Sequence, residues 1–556
     1  MKRFIEDYQP APDASQNPDF DIIVLGGGIT GAAVAYEAAA HGYRVCLLEK
    51  KDFGWATSAA TSKMIHGGLR YLNNLEFGLV RESLRERRIL EDIAPNYVYP
   101  LPFMIPNYKG HLMSNRWVIK MGMILYDLLS FDKGWTRLRS KRIPLHQSLS
   151  AAKARAQESI LPTDGLTGAA VYYDCQSIFP ERLTLAFIKS AEYHGARVAN
   201  YAEVSDFIRE GNQIRGVVVR DHLRGGSDVR VYGRLLINSG GPWAEHMLRR
   251  MAGENVESHL RTSEGIHIIV NRPLVKDHAV ALITPEGRHF FLVPWRNHTL
   301  IGTTDREYTG KPDEYRVTRE SVDEFLKEIN DTLGADTVRH QDIVHTYGGL
   351  RPLTDTTAKS SYKSSRKYEI LDSAELGMEG VLTVEGGKYT TSRNLAVNVL
   401  KLARKKLDAM GVQSHGARYN TARKPLFGCE IPSMSGFLEH VAEKYPDVSA
   451  ETRDFIARNY GTDFQNILEI AKENPTWARP RNADGEILAE VVFSIRREMA
   501  RTLEDILLRR TGFGTLGMPD DHLLKDIAQL AAGELGHDQN WVADQIKHVH
   551  TMLTVP

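Results

Sequence analysis

The residues best placed to do chemistry stand near the N-terminus. Gly26-x-Gly28-x-x-Gly31 follows the compact apolar run Asp21-Ile-Ile-Val-Leu25 and precedes an alanine-rich stretch ending at Gly42. Glycines at that spacing let backbone approach a pyrophosphate, and the N-terminus of the helix that follows offers unpaired N–H groups and a favourable dipole. The anion site needs no lysine. Arg44-Val-Cys-Leu-Leu-Glu49 supplies a second short strand, and its closing carboxylate can accept hydrogen bonds from ribose hydroxyls while disfavouring a 2′-phosphate. Strand, turn, helix, strand and carboxylate read together as a dinucleotide-binding βαβ unit, with Gly26, Gly27, Gly28, Ile29, Thr30, Gly31 and Glu49 as its ligand-facing residues. This pattern does not separate FAD from NAD.

Next comes Ala56-Thr-Ser-Ala-Ala-Thr-Ser-Lys-Met-Ile-His-Gly-Gly-Leu-Arg-Tyr71, dense in small hydroxyl residues and paired glycines. Its hydroxyls and bare backbone suit polar contacts to a pyrophosphate and a flavin rim. By its chemistry alone the segment is equally compatible with an ordinary polar loop.

The elements that must position these groups belong to a large globular chain. Its 556 residues suggest roughly three or four domains. With 42% hydrophobic and 25% charged residues, whole-chain disorder, collagen and disulfide-scaffold classes are excluded. Lys+Arg 70 against Asp+Glu 70 leaves no global pull toward nucleic acid, so any anion affinity is local. Cys46, Cys175 and Cys429, without a CxxC pair, give neither a disulfide framework nor a metal site and fit a reducing, cytoplasmic compartment. The polar first twenty residues lead us to expect no secretory leader, and no apolar stretch reaches the ~18 residues of a spanning helix. Further strand-like runs are Gln213-Ile-Arg-Gly-Val-Val-Val219, Leu235-Leu-Ile-Asn238, Ile266-His-Ile-Ile-Val270, Phe290-Phe-Leu-Val293 and Gly380-Val-Leu-Thr-Val384. From about Leu400 the spacing turns helical, with Leu523, Leu524, Ile527, Leu530 and Ala531 as one face and Lys424-Pro425 and Pro432-Ser-Met-Ser-Gly436 expected as connection.

Five blocks in this order, Asp21 to Gly31, Thr57 to Tyr71, Ile301-Gly-Thr-Thr-Asp305, Tyr347-Gly-Gly-Leu-Arg-Pro352 and Glu385-Gly-Gly-Lys-Tyr-Thr-Thr391, make the chain resemble FAD-dependent glycerol-3-phosphate dehydrogenases nearly end to end. The tail, including Leu507-Leu-Arg-Arg-Thr511, is similar to that family's C-terminal domain. The resemblance implies an α/β fold: a Rossmann-like FAD domain of the glutathione-reductase and amino-acid-oxidase type, a cap domain with an antiparallel sheet, and an all-α C-terminal domain. The FAD domain is expected over 18–95, 166–255 and 341–404, the cap over 96–165 and 256–340, and the helical domain over 405–556. It implies non-covalent FAD held, besides the glycine turn and Glu49, by Thr57, Ser58, Ser62, Lys63, His66, Gly67, Gly68, Val204, Gly240, Gly241, Trp243, Gly349, Gly387, Lys388 and Thr390. The implied reaction takes hydride from C2 of sn-glycerol 3-phosphate to flavin N5, giving dihydroxyacetone phosphate, with a membrane quinone as acceptor.

That substrate requires cations at its phosphate and a polar group at its secondary alcohol. Arg351 follows a glycine pair and precedes Pro352, which can aim a guanidinium into a cleft, and Arg70 and Lys388 also lie beside glycine pairs. The resemblance places Arg70, Tyr71 and Arg366, the last within Ser-Ser-Arg-Lys-Tyr, at the substrate, and Arg351 and Lys388 in catalysis. His267, in a strand-like run, is expected to take the hydroxyl proton, a packed strand histidine being the alternative. Lys388 or Arg351 is expected to stabilise the developing alkoxide.

Two blocks depart from the family. Glu264-Gly265-Ile266-His267 stands where the family has Lys-Gly-Ser-His, so an altered substrate contact is expected beside His267. Tyr172-Tyr-Asp-Cys175 continues as Gln-Ser-Ile-Phe-Pro-Glu181 in place of an acidic pair, at the expected junction of cap and FAD segments. Trp117 to Phe131 reads as an apolar helix followed by Lys133, Arg137, Arg139, Lys141 and Arg142, either a seat on an anionic membrane surface or a cap helix beside a solvated loop. The first reading makes the protein peripheral on the cytoplasmic face of the inner membrane. A homodimer is compatible with the sequence. Another polyol phosphate or an amine as substrate, a flavin-binding protein without turnover, and an NAD-linked dehydrogenase stay open as alternatives.

Overall fold

Phe20–Leu25 is buried at every position, as a strand covered on both faces must be. Val45–Leu48 pairs with it in parallel from Ile22↔Val45 to Leu25↔Leu48, and Ser227–Asn238 flanks its other side from Ile22↔Leu235 to Leu25↔Asn238. Arg197–Ala199 extends this first sheet at one end, and Val381–Gly386 with the antiparallel Tyr368–Asp372 extends it at the other. Helix Ile29–Ala40 makes the first crossover, and its alanines allow close packing against helices Pro180–Tyr193 and Ser392–Ala409. On the opposite face Ala202–Glu210, Gln213–Asp221 and the start of Ser227–Asn238 form an antiparallel layer over Ile23, Leu25 and Leu48. The computed structural model describes residues 1–109, 115–253, 260–354, 366–414, 416 and 419–556, with backbone alone at Asn73 and Arg139.

The second sheet runs Arg306–Tyr308, Arg261–Val270, His298–Gly302, His289–Trp295, Ala279–Ile283, Val98–Tyr108, Leu166–Ser177, Met64–Ile65. Ile343–Leu353 adds to Arg261–Val270, and Gln147–Ser150 to Leu166–Ser177. Side-chain alternation divides its central strand. Ile266, Ile268 and Val270 pack on Val322, Phe325 and Ile329 of helix Arg319–Leu333, while His267 and Ile269 face the other way.

Sheet membership corrects the expected boundaries. Leu166–Ser177 pairs with Val98–Tyr108 from Val98↔Ser177 to Tyr108↔Leu166, so it belongs to the cap sheet although the FAD domain was expected from 166. Ile343–Leu353 likewise joins the cap sheet, not the FAD domain expected from 341. An apolar alternation reads the same in either sheet; the partner strand decides, and that partner is distant in sequence. Ser392–Ala409 packs on the nucleotide helix through Leu395, Ala396, Val399 and Ala403, so the helical domain begins beyond it. Pro432–Gly436 is not merely a connection, because Ser433 accepts from Gly436 N–H and caps helix Met434–Lys444. The boundary expected at 255/256 lies outside the described residues.

The C-terminal helices bury Leu523, Leu524, Ile527 and Ala531 against Leu488, Val491 and Leu503. The domain grips both sheets' supports. Arg182 on helix Pro180–Tyr193 makes a bidentate pair with Glu498 at 2.6 and 2.9 Å. Arg296 of the cap reaches Glu486 at 3.0 Å and also pairs with Asp484.

Candidate active site

A cavity of about 580 Å³ is lined by residues of both sheets, among them the glycine turn and a group of cations. Gly26 has φ +94°, and a Cβ there would stand 2.6 Å from the carbonyl oxygen of Ser239. A Cβ on Gly31 would run into the Gly26 carbonyl oxygen, so strand and helix meet closely only with glycine at both positions. Ser58 Oγ accepts from Ile29 N–H at 2.9 Å, which satisfies one of the helix's first-turn donors. Glu49 accepts from Gly27 N–H at 2.7 Å and from Lys51 N–H at 2.8 Å. Burial pushes its carboxyl up, against those two hydrogen bonds, and the side chain still lines the cavity. The turn, the open helix terminus and the buried carboxylate together fit the adenosine pyrophosphate of FAD.

Elsewhere on the lining, charge gathers around Asp305. Its Oδ2 accepts from Arg366 Nη2 at 2.8 Å and lies 3.7 Å from Arg351 Nη1. Arg351 is held further by Thr303 Oγ1 at 2.6 Å and the Thr304 carbonyl at 3.1 Å. Burial, Arg366 and Arg70 hold its pKa down to about 10, so it stays cationic at neutral pH. Lys388 Nζ sits 4.3 Å from the centre of the Tyr71 ring and donates to Ser83 Oγ at 2.8 Å, and the Arg70 guanidinium lies 5.2 Å from the same ring. Burial opposes ionisation of Tyr71, but Lys388, Arg70 and Arg366 outweigh it and draw the phenol below its usual range. At Gly68, φ +75°, a Cβ would stand 2.5 Å from the Tyr71 ring and 2.9 Å from Lys388 Nζ.

His267 faces this cluster. Its Nε2 is 2.8 Å from Ser62 Oγ, and its ring stacks on Tyr347 at 4.8 Å and 15°. Burial, aided by Arg351 and Lys63, pushes its pKa well below the usual imidazole value. Its Nδ1 is buried with no hydrogen-bond partner among the described residues. His66 and His289 also line the cavity, each pushed down to about 4 by burial, with Lys388 and Arg70 respectively adding to the effect. Three neutral imidazoles thus share the cavity lining with Arg351, Arg366 and Lys388. The departure at Glu264 lies off the cavity: Glu264 and Ile266 alternate to the far face, and neither lines it.

The cavity brings together Gly26, Gly28, Ile29, Thr30, Glu49, Thr57, Ser58, Ser62, His66, Gly68, Arg70, Tyr71, Val204, Gly240, Gly241, Trp243, His267, Arg351, Arg366, Gly387, Lys388 and Thr390. It does not include Gly27, Gly31, Lys63, Gly67 or Gly349. These five support the wall. Gly27 is backed by Glu49 and Phe53, and Gly349 by Ala60. Gly67 donates to Asp174 at 3.2 Å, and Asp174 is fixed by Arg87 at 2.6 Å. Lys63 pairs with Glu181 at 2.6 Å, which gives the divergent Phe-Pro-Glu181 junction a structural task. Ser364 and Ser365, before Arg366, lie outside the described residues.

Sequence reasoning missed Asp305 as a site residue, although it closes the quoted Gly-Thr-Thr-Asp block. It also missed His289 and Phe291, whose spacing of two on one strand puts both on the cavity face. The lining also has an apolar share: Ile105, Ile119, Met123, Tyr172, Ile283 and Phe291. Helix Arg116–Leu129 supplies Ile119 and Met123 to it while its outer side exposes Trp117 (68%), Met121 (66%) and Leu128 (65%). The basic cluster after this helix is thinner than expected. Lys133 pairs with Asp127 at 2.5 Å, and Lys141 is buried, donating to the carbonyls of Pro95 and Val98, which leaves Arg137 and Arg142 exposed. Of Arg139 only the backbone is described. No described helix is long and apolar enough to cross a membrane.

A family model described as FAD dependent oxidoreductase matches residues 21–392, and one described as the C-terminal domain of alpha-glycerophosphate oxidase matches residues 419–541. A glycerol-3-phosphate dehydrogenase of Synechocystis sp. is 34% identical over 97% of this chain and 97% of its own. The aerobic glycerol-3-phosphate dehydrogenase of Bacillus subtilis is 31% identical over 89% of this chain and 87% of its own. The solved glycerol-3-phosphate dehydrogenase from Bacillus halodurans, complexed with FAD, matches the fold with a TM-score of 0.75 over 97% of this chain and 95% of that one, at 24% identity. The protein therefore belongs to the glycerol-3-phosphate dehydrogenase family of FAD-dependent oxidoreductases.

Proposed function

We propose that this chain oxidises sn-glycerol 3-phosphate at C2 to dihydroxyacetone phosphate and passes the electrons to a membrane quinone. The observation that carries the reading is the cation group that lines the cavity. Arg351 and Arg366 flank one carboxylate, and Arg366 Nη1 is buried with no hydrogen-bond partner among the described residues. A buried, unpaired guanidinium donor is costly unless an anion occupies the site, and a phosphate offers oxygens for both forks.

FAD would be held by the Gly26–Gly31 turn, Glu49, Thr57 and Ser58. Hydride acceptance is the chemistry the bound flavin supplies. The chain's own residues do the rest. Arg351, Arg366 and Arg70 bind the phosphate, and Tyr71 and Lys388 orient the glycerol backbone. His267 is neutral at pH 7, so its Nε2 can receive the C2 hydroxyl proton from the position now taken by the Ser62 hydroxyl. Lys388 and Arg351 offset the alkoxide charge as that proton leaves. His289 and Phe291 roof the site and limit water.

The apolar part of the lining supports a quinone as acceptor, because aliphatic and aromatic side chains suit a flat, water-insoluble ring. On helix Arg116–Leu129, Trp117, Met121 and Leu128 recur at helical spacing on an exposed face, with Phe131 exposed just past its end, which supports seating on a bilayer. The test is turnover of glycerol 3-phosphate with a short-chain quinone. Stoichiometric dihydroxyacetone phosphate is expected, and reduction of the quinone without that product would overturn the reading.

A further inference from the structure

Three residues past Glu49, Asp52 is 0% exposed, and its carboxylate is fully engaged. It accepts from Arg510 at 2.8 and 2.7 Å, from Arg509 Nε at 2.7 Å and from Asn200 Nδ2 at 3.0 Å. Both arginines come from a single π-helical turn, Ile506–Arg510, in the helical domain. Arg509 is itself anchored by Glu504 at 2.8 Å and Asp505 at 2.6 Å, and Arg510 Nε by the Glu498 carbonyl at 3.0 Å.

The loop so gripped is the one that backs the glycine turn. Gly54 N–H donates to the Gly27 carbonyl at 2.9 Å, while Gly27 N–H donates to Glu49 at 2.7 Å. The Phe53 ring stands 2.8 Å from where a Gly27 Cβ would be, and Trp55 N–H closes the loop on the Asp52 carbonyl at 3.1 Å. Lys50 and Trp55, on either side of Asp52, line the cavity. A buried carboxylate facing two guanidinium groups stabilises little against a well-packed apolar substitute, but it fixes register, and removing one partner strands the other charge.

We propose that Arg509 and Arg510 are positioning residues for FAD: by holding Asp52 they press the Glu49–Trp55 loop against the glycine turn, so the dinucleotide site is complete only when the helical domain is docked. This assigns the C-terminal domain a task in cofactor retention, distinct from any contact with substrate. Because the loop and the turn share one backbone hydrogen bond, Gly54 N–H to the Gly27 carbonyl, and one from Gly27 N–H to the Glu49 carboxylate, a shift of Asp52 is transmitted to the pyrophosphate cradle.

The experiment uses full-length holoenzyme and no substrate. Arg510→Lys keeps the charge but loses the bidentate fork, and Arg296→Lys weakens a buried pair that ties the same helical domain to the cap and not to the loop. FAD release after dilution is followed by the rise in free-flavin fluorescence, alongside the melting temperature of each apoprotein. Arg510→Lys should release FAD about tenfold faster or more, while Arg296→Lys, at a similar loss of melting temperature, stays near the parent rate. Equal release from both variants, or parental release from Arg510→Lys, overturns the proposal. Should Arg510→Lys not fold, Arg509→Lys reads the same quantity with the same two outcomes. Failure here would leave the substrate reading untouched, since no substrate enters the assay.

Discussion

His267 Nε2 and Ser62 Oγ lie 2.8 Å apart, a hydrogen bond between a cap strand and the segment that follows the nucleotide-binding unit, 205 residues away in sequence. It marks the direction from which a proton can reach the imidazole. His267→Asn should slow flavin reduction by about 10²–10⁴-fold while changing substrate affinity little. Anaerobic stopped-flow at saturating substrate separates the two, and an unaltered reduction rate rejects His267 as the base.

With His267 as the proposed base, the same histidine should set the acid limb of the pH profile. Burial, Arg351 and Lys63 lower its pKa, so the neutral, proton-accepting form persists as pH falls past the ordinary imidazole value of ~6.5. The reduction rate at saturating substrate should stay level through that value and decline only in more acidic buffer. A midpoint at or above ~6.5 would contradict the burial argument. Reading the rate at saturation keeps apart the substrate phosphate, which itself titrates near ~6.

Arg351 and Arg366 share the Asp305 carboxylate, at 3.7 and 2.8 Å. Arg366→Ala should raise KM roughly 10–100-fold, the range for a hydrogen bond to a charged group, with FAD retained. Asp305→Asn should also raise KM, because the two guanidinium groups lose the carboxylate that sets their separation. Titration of each variant with the product checks both, and parental affinity in Arg366→Ala would remove it from the phosphate site.

How much of this was legible in the sequence follows the range of each interaction. The glycine turn, its helix and Glu49 are local, so residue type and spacing suffice to read them. Arg366 and Asp305 stand 61 residues apart, and Asp52 and Arg510 stand 458 apart, so their pairing waits on the fold. Alternation could have resolved Glu264 in advance: with His267 facing the cavity, a residue three positions back on the same strand must point away. Lys141 looked like a lipid-facing cation because a short basic run hides which member turns inward to meet backbone carbonyls.

Membrane seating should depend on apolar contact more than on charge, since Lys133 is paired and Lys141 buried. Replacing Trp117, Met121 and Leu128 together by serine should weaken binding to phosphatidylglycerol vesicles by on the order of 1–2 kcal/mol per side chain. Added salt should release the parent protein only slightly. Sedimentation with vesicles reads both, and an unchanged bound fraction in the triple variant would exclude this face as the seat.

The most direct test is anaerobic addition of glycerol 3-phosphate to the yellow holoenzyme, with glycerol as the control that lacks the phosphate. The arrangement of Arg351, Arg366, Arg70 and Lys388 predicts rapid bleaching of the flavin absorbance by the ester and none by glycerol at the same concentration. Bleaching by glycerol as readily as by the ester, or no bleaching by either, would contradict a phosphate-gripping site beside the cofactor.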